Sequence, residues 1–111
     1  MRRRRGKFGS IETVFMGRTY HSKKEAEYAS LLELRRRSRG PQRILSWEPQ
    51  VPIRLEVNGK LVCTYIADFL IKFPDGHEEL HETKGVETAV WRMKEKLFRA
   101  LYPDRTLKVI R

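Results

Sequence analysis

A long, largely apolar run, KLVCTYIADFLIKF at residues 60–73, occupies the middle of the chain. Its apolar, β-branched and aromatic content predicts a strand in the centre of a sheet. Asn-Gly at residues 58–59 is the strongest hairpin-turn dipeptide, and Pro-Asp-Gly at residues 74–76 predicts a second turn. The segment EELHETK, residues 78–84, is therefore expected to return as the antiparallel partner of the central strand.

Turn, capping and periodicity signals predict the remaining elements. Ser22 is a good N-cap for a first helix, and an apolar stripe of Val90, Met93, Leu97 and Leu101 is expected on a second helix. Prolines confine the extended segment before the central strand to an edge of the sheet or to irregular strands. A single α/β domain with a mixed central sheet flanked by helices follows from this order. The predicted hairpin, helix, three strands, helix and last strand span residues 11–21, 22–40, 43–57, 60–73, 78–84, 87–102 and 105–110.

Charge gives the first indication of function. The chain has 111 residues, a formal net charge of +10 and a pI near 10.2, which favours a polyanionic partner, above all nucleic acid. Residues 1–10 form a basic segment, expected to be flexible, that either follows a phosphate backbone or only aids solubility; residues 11–111 form the folded domain. One cysteine, Cys63, excludes an internal disulfide and favours a reducing, cytoplasmic compartment. No segment predicts a membrane span or a secretory signal.

An acid in the central strand needs an explanation, because acids are depleted in strands and costly to bury without a partner. If residues 73–77 form the loop of the hairpin, Asp68 lies opposite Glu82. Two carboxylates about 5 Å apart repel each other, so one is protonated unless a cation lies between them. Mg²⁺ is the ion that best fits such a pair, because it binds through one or two carboxylates and keeps water ligands.

Residues around this pair complete a candidate site. Lys84 shares the strand face of Glu82 and can orient or deprotonate an attacking water, or stabilise charge on a phosphate. Thr83 is expected to point away, with its backbone carbonyl near enough to serve as a further metal ligand. Glu25 has two interpretations: it forms a capping box with Ser22, or it leans toward a metal site from the start of the helix.

The order of these residues resembles the PD-(D/E)XK nuclease superfamily, and its small phage-encoded branch in particular. The matching segments are YHSKKEAEYASLL, EPQVPIRL, YIADFLIKFPDG, ETKG and WRMKEKLF, which together extend over most of residues 18–102. They contain Glu25, Asp68, Glu82 and Lys84. Ala67 stands before Asp68 where the family motif has proline.

The resemblance implies a restriction-endonuclease-like fold and a metal-dependent DNA endonuclease. It implies metal ligation by Asp68, Glu82, Glu25 and Thr83, with Mg²⁺ as cofactor and Mn²⁺ able to substitute. It also adds Gln50 to the catalytic set of Glu25, Asp68, Glu82 and Lys84, because this branch carries a glutamine near the site. No small-molecule cofactor is expected.

The substrate expected for a short basic nuclease of this branch is branched DNA. Known members of similar size include Holliday-junction resolvases, which are homodimers, so a homodimeric resolvase acting on DNA in a phage-infected or bacterial host cell is expected. The alternatives are a nuclease for nicked, flapped or duplex DNA, and a non-catalytic nucleic-acid-binding protein. The candidate DNA-binding residues are basic: Arg2, Arg3, Arg4, Arg5, Lys7, Arg35, Arg36, Arg37, Arg92 and Lys96.

Overall fold

The computed structural model describes residues 4–5 and 11–111. It divides into two compact units, Met1–Ile44 and Leu45–Arg111. Of the predicted basic segment, only Arg4–Arg5 lies within the described residues, where its backbone forms a short strand. The predicted DNA contacts Arg2, Arg3 and Lys7 lie outside the described residues.

The first unit contains three short strands and one helix. Strands β1 (Arg4–Arg5), β2 (Ile11–Phe15) and β3 (Arg18–Tyr20) pair antiparallel in that order, which confirms the predicted hairpin. Its two-residue turn has left-handed φ angles at both positions, 51° and 77°, and a glycine takes the second of them at low cost. Helix α1 (Lys23–Arg37) follows, and Ser22 caps it as predicted.

The second unit is built on a four-stranded mixed sheet. Its strands are β4 (Ser46–Val57), β5 (Lys60–Lys72), β6 (Glu78–Thr83) and β7 (Thr106–Ile110), and they lie in the order β4-β5-β6-β7. The first three pair antiparallel, and β7 runs parallel to β6 after helix α2 (Ala89–Leu101). A mixed sheet and two helices confirm the predicted α/β class. In the described part of the chain, neither helix has the length and apolar character needed to cross a membrane.

Turn chemistry sets the register of this sheet. Asn58 and Gly59 have φ angles of 53° and 78° and join β4 to β5 with Val57 opposite Lys60. The β5–β6 hairpin pairs Lys72 with Glu78, which is the predicted register. The apolar run predicted to be central is β5, with strands on both sides, and the proline-containing β4 lies at the edge.

The core of the second unit lies between the sheet and α2. It includes Tyr65, Leu80, Trp91 and Phe98, and Leu97 and Leu101 pack against it. The predicted stripe on α2 is partly wrong, because Val90 and Met93 are 64% and 71% exposed. The helix turns its two aromatic residues, Trp91 and Phe98, inward instead, and these bury more surface than the aliphatic residues of the predicted stripe.

Side-chain alternation breaks at Asp68. Ala67 belongs to the core, and so does Leu80, whose partner across the hairpin is Leu70. Phe69 directly precedes Leu70, which faces this core, and it therefore points to the other face of the sheet, where it is also buried. The core face therefore passes from odd-numbered to even-numbered residues within β5, and Asp68 occupies the position of the change.

Candidate functional site

The candidate site lies where β5 and β6 part. Their last paired residues are Phe69 and His81, so Asp68 and Glu82 come one step later on adjacent strands. This is the neighbour relationship that the sequence predicts. The parallel partner β7 places Val109 beside Glu82 and supports β6 beyond the end of the hairpin. Glu82 is only 4% exposed, whereas Asp68 is half-buried.

Hydrogen bonds hold both carboxylates in place. Glu82 Oε1 accepts from the hydroxyl of Tyr65 at 2.7 Å and from the backbone N–H of Asp68 at 3.3 Å. Asp68 Oδ2 accepts from Thr83 twice, from its backbone N–H at 2.8 Å and from its hydroxyl at 2.9 Å. Each carboxylate is therefore fixed through one named oxygen by donors on the neighbouring strand, and Asp68 contributes its own amide to holding Glu82.

The position of Thr83 corrects the prediction that its side chain points away from the acids. Its hydroxyl donates directly to Asp68. Strict alternation placed it on the opposite face from Glu82, but the pairing of β5 with β6 has already ended at His81, so β6 is no longer constrained by that ladder here. Thr83 thus supports Asp68 through side chain and backbone. Ligation by its carbonyl stays a prediction.

Lys84 completes the group. Its Nζ lies 3.3 Å from Glu82 Oε2 and 4.7 Å from the centroid of the Trp91 ring, which corresponds to an ion pair and a cation–π contact. Its backbone N–H donates to the carbonyl of Ile110 at the end of β7. The Lys84 side chain is 20% exposed, so the ammonium group lies at the boundary between the protein and solvent.

Burial and charge act together on Glu82. Burial raises the pKa of the Glu82 carboxyl, and the negative charge of Asp68 raises it further. The hydrogen bond from Tyr65 and the charge of Lys84 oppose this rise without cancelling it. Burial raises the pKa of the Tyr65 hydroxyl, and the charge of Glu82 raises it further. The hydroxyl therefore stays protonated and remains a donor. A cation bound beside the two carboxylates would favour the charged form of Glu82 and so act against the rise in its pKa.

Gln50 lies across from Asp68. Its neighbours Pro49 and Val51 pair with Phe69 and Ala67, which leaves Gln50 opposite the acid at a gap in the ladder. Its φ of 55° is left-handed, an uncommon conformation for a glutamine. The structure therefore brings together four predicted site residues on β4, β5 and β6, with Lys84 just beyond β6.

Glu25 belongs to the first unit and is described within it. It lies in the first turn of α1, where its backbone N–H donates to Ser22 Oγ at 3.1 Å, as a capped helix start requires. Its side chain is buried, with 4% of the residue exposed. Burial raises the pKa of the nearby Tyr20; Arg18 lowers it, and the charge of Glu25 adds to the rise.

The described basic residues differ in how they are engaged. Arg36 and Arg37 both form ion pairs with Glu33, at 2.7 and 3.1 Å, and Arg35 donates to the carbonyl of Gln42. Arg92 and Lys96 are exposed on α2, one helical turn apart. The backbone of Arg4 and Arg5 forms β1.

The donors present suit a hard divalent cation. Asp68 and Glu82 supply two carboxylates, and Mg²⁺ needs only one or two from a protein when substrate phosphate and water complete its shell. Within the described residues, no group of three His, Cys, Asp or Glu side chains is arranged to hold a metal. The fit therefore rests on a two-carboxylate site with oxygen ligands.

The sequence analysis missed the role of Tyr65 and the contact between Trp91 and Lys84. Alternation from Asp68 places Tyr65 on the opposite face, and only the change of face in β5 brings its hydroxyl to Glu82. Trp91 is buried, and its ring contacts the Lys84 ammonium. The signal available in the sequence was a tyrosine in an apolar strand, three residues before the acid.

Comparison with known protein families gives a match over most of the chain. The model of the family described as "Protein of unknown function (DUF1064)" matches residues 5–111. Neither the curated proteins nor the solved structures contain a match to this chain.

Proposed function

The chain belongs to the DUF1064 family, and from its candidate site we propose that it is a metal-dependent DNA endonuclease with a restriction-endonuclease-like fold. One observation carries this proposal. Asp68 and the buried Glu82 are fixed side by side, and Lys84 contacts Glu82 at 3.3 Å. A structural role explains a surface ion pair, but it does not explain two adjacent acids, one of which has its pKa raised by burial and then by the charge of the other.

Asp68 and Glu82 would hold the divalent cation, with Mg²⁺ preferred and Mn²⁺ accepted. When bound, the cation supplies positive charge that polarises the scissile phosphate and neutralises both carboxylates. The protein's part is to keep the two acids in place before the ion arrives. The Tyr65 and Thr83 hydroxyls do so at 2.7 and 2.9 Å, which reduces the reorganisation that binding requires.

Lys84 would act on the attacking water. Its ammonium group lies beside Glu82 Oε2 at the edge of solvent, where it can orient a water molecule or stabilise charge that develops on the phosphate. Trp91 limits its motion through the cation–π contact. Gln50, opposite Asp68, would contact the same region of the substrate by hydrogen bonding. Water then attacks phosphorus in line with the leaving oxygen.

Branched DNA is the proposed substrate, and a Holliday junction the preferred form. The net charge of +10 favours binding through phosphates, which positions a protein on DNA without reading bases. Exposed Arg92 and Lys96 on α2 are the described residues best suited to such contacts. A homodimer is proposed with this substrate, because paired cuts across a junction need two active sites.

The test is cleavage of a synthetic four-way junction and of linear duplexes with the same arms, each with Mg²⁺ and with a chelator. Wild type is compared with Asp68→Asn, and Asp104→Asn is the control because it removes an exposed acid in the turn before β7. We expect paired, symmetric cuts in the junction by wild type and by the control, and none by Asp68→Asn. The inactive variant should bind the junction at least as tightly as wild type, because it repels phosphate less.

The other outcomes separate the alternatives. Equal cutting of duplex and junction keeps the nuclease and discards junction specificity. Tight junction binding without cation-dependent cutting by wild type contradicts the nuclease and favours a binding protein. Cutting by Asp68→Asn at the wild-type rate refutes the site assignment.

A further inference from the structure

Tyr65 makes the shorter of the two described hydrogen bonds to Glu82 Oε1. Its hydroxyl lies 2.7 Å from Glu82 Oε1, and both residues are almost fully buried. A hydrogen bond to a carboxylate in such a position is charge-assisted and gains strength from the low local dielectric. Breaking it would leave Glu82 Oε1 with the longer bond from the Asp68 amide, at 3.3 Å.

Packing keeps the Tyr65 ring from moving. Tyr65 is 2% exposed, and its ring lies 5.8 Å from that of Phe98 at an interplanar angle of 58°. Both residues belong to the core that also includes Trp91. A phenol held in this way has a single position for its hydroxyl, so the bond to Glu82 fixes the orientation of the carboxylate as well as its place.

Orientation matters because the two oxygens of Glu82 have different neighbours. Oε1 accepts from Tyr65, whereas Oε2 lies 3.3 Å from Lys84 Nζ. A partial rotation of the carboxylate would move both oxygens out of these contacts. Tyr65 therefore fixes the direction in which the second oxygen of Glu82 faces Lys84.

We propose that Tyr65 is a positioning residue, which orients Glu82 for cation binding and for work with Lys84 without touching the substrate. This inference rests on the proposed endonuclease function. It follows that the Tyr65 hydroxyl serves the cation and the chemical step, whereas DNA binding does not depend on it. Partners of this kind behind a metal ligand are worth about 10-fold to 100-fold in metal affinity or activity.

The experiment compares Tyr65→Phe with Tyr102→Phe. Tyr102 is a matched control because its hydroxyl also makes a 2.8 Å hydrogen bond, to the carbonyl of Arg54, away from the acids. Mn²⁺ alone is titrated into each protein without DNA, and the unbound ion is measured by electron paramagnetic resonance. Junction cleavage then gives kcat and KM. For Tyr65→Phe we expect Mn²⁺ affinity and kcat to fall about 10-fold to 100-fold with KM unchanged. Tyr102→Phe should match wild type in all three.

The outcomes distinguish the two proposals. If wild type binds Mn²⁺ and cuts DNA but Tyr65→Phe does both equally well, the positioning role is refuted and the nuclease stands. If wild type neither binds Mn²⁺ nor cuts, both proposals fall. A rise in KM with unchanged kcat also contradicts the role, because it would mean that the hydroxyl serves DNA binding.

A second measurement covers the case in which Tyr65→Phe does not fold. Wild type is labelled with ¹³C at the Cζ atom of tyrosine, next to the hydroxyl, and Mg²⁺ is added. The Tyr65 signal should shift, because the bound cation changes the charge at Glu82, to which the Tyr65 hydroxyl donates. The Tyr102 signal should stay in place. No shift at Tyr65 on saturation with Mg²⁺ would overturn the proposal.

Discussion

Replacing Asp68 with asparagine should abolish cleavage and at the same time stabilise the cation-free protein. The substitution keeps the shape of the side chain, and the amide oxygen can still accept from Thr83, whose N–H and hydroxyl lie 2.8 and 2.9 Å from Asp68 Oδ2. What changes is the charge next to Glu82. A variant that loses activity by unfolding would lose stability, so the opposite sign of the stability change identifies the cause.

The size of the effect follows from the repulsion that is removed. Two unit charges about 5 Å apart, at an effective dielectric constant of about 20, repel by about 3 kcal/mol. Lys84, 3.3 Å from Glu82, offsets part of this, and solvent at the half-buried Asp68 screens more. A net gain of about 1 kcal/mol in the free energy of unfolding is therefore expected for Asp68→Asn.

The gain in the free energy of unfolding of Asp68→Asn over wild type should depend on pH in a defined direction. Burial first, and then the charge of Asp68, raises the pKa of Glu82 in the folded protein. The folded state therefore holds this proton more tightly than the unfolded chain does, and the contribution of Glu82 to stability is lost as pH rises from the ordinary glutamate range through the raised pKa. In Asp68→Asn the pKa is raised less, so its advantage over wild type should be largest above that window and shrink at acidic pH.

Urea unfolding with a chelator present, followed by tryptophan fluorescence at several pH values, measures this difference. Asp104→Asn controls for the change in net charge, because it removes an exposed acid. If Asp68→Asn is less stable than wild type at neutral pH, or equally stable at every pH, the two acids do not repel each other as argued. Addition of Mg²⁺ should stabilise wild type and leave Asp68→Asn unchanged, because only wild type has both ligands.

Three further changes test other parts of the structure. Lys84→Met should abolish junction cleavage while Ca²⁺-supported junction binding persists, and retention of normal kcat would refute its role. Gly59→Ala should cost about 1 kcal/mol in urea unfolding, because its φ of 78° is left-handed, whereas Gly40→Ala should cost less. Glu33→Gln releases the two arginines that pair with it, so junction affinity should rise and its salt dependence should steepen; an unchanged slope would mean that the end of α1 does not contact DNA.

Local signals were sufficient to predict the framework of the sheet. The Asn-Gly turn at 58–59 and the Pro-Asp-Gly turn at 74–76 fix the register of both hairpins, because a turn of known type leaves few ways to pair the strands. From that register the sequence correctly places Asp68 beside Glu82. The edge position of β4 is one of the two arrangements that its prolines allow.

The predictions were wrong where tertiary packing determines which of two locally possible arrangements forms. On α2 both an aliphatic stripe and an aromatic one repeat with helical spacing, and burial favours the aromatic one, so Met93 is exposed and Trp91 is not. At Thr83 the alternation rule failed because β6 had left the β5 ladder. The local sequence predicts neither outcome, because each depends on contacts with neighbouring elements of the fold.

Departures from regular strand structure gather at one position, and that is itself an argument for function. Gln50 adopts a left-handed φ, the ladder skips the pair formed with Asp68, and β5 changes its core-facing side there. Each of these costs stability, and so does the placement of a buried acid beside another. In a sheet selected for stability alone, a simple substitution such as valine in place of Asp68 would remove these costs. Costs that converge on the same few side chains are expected where a site is held ready for a ligand.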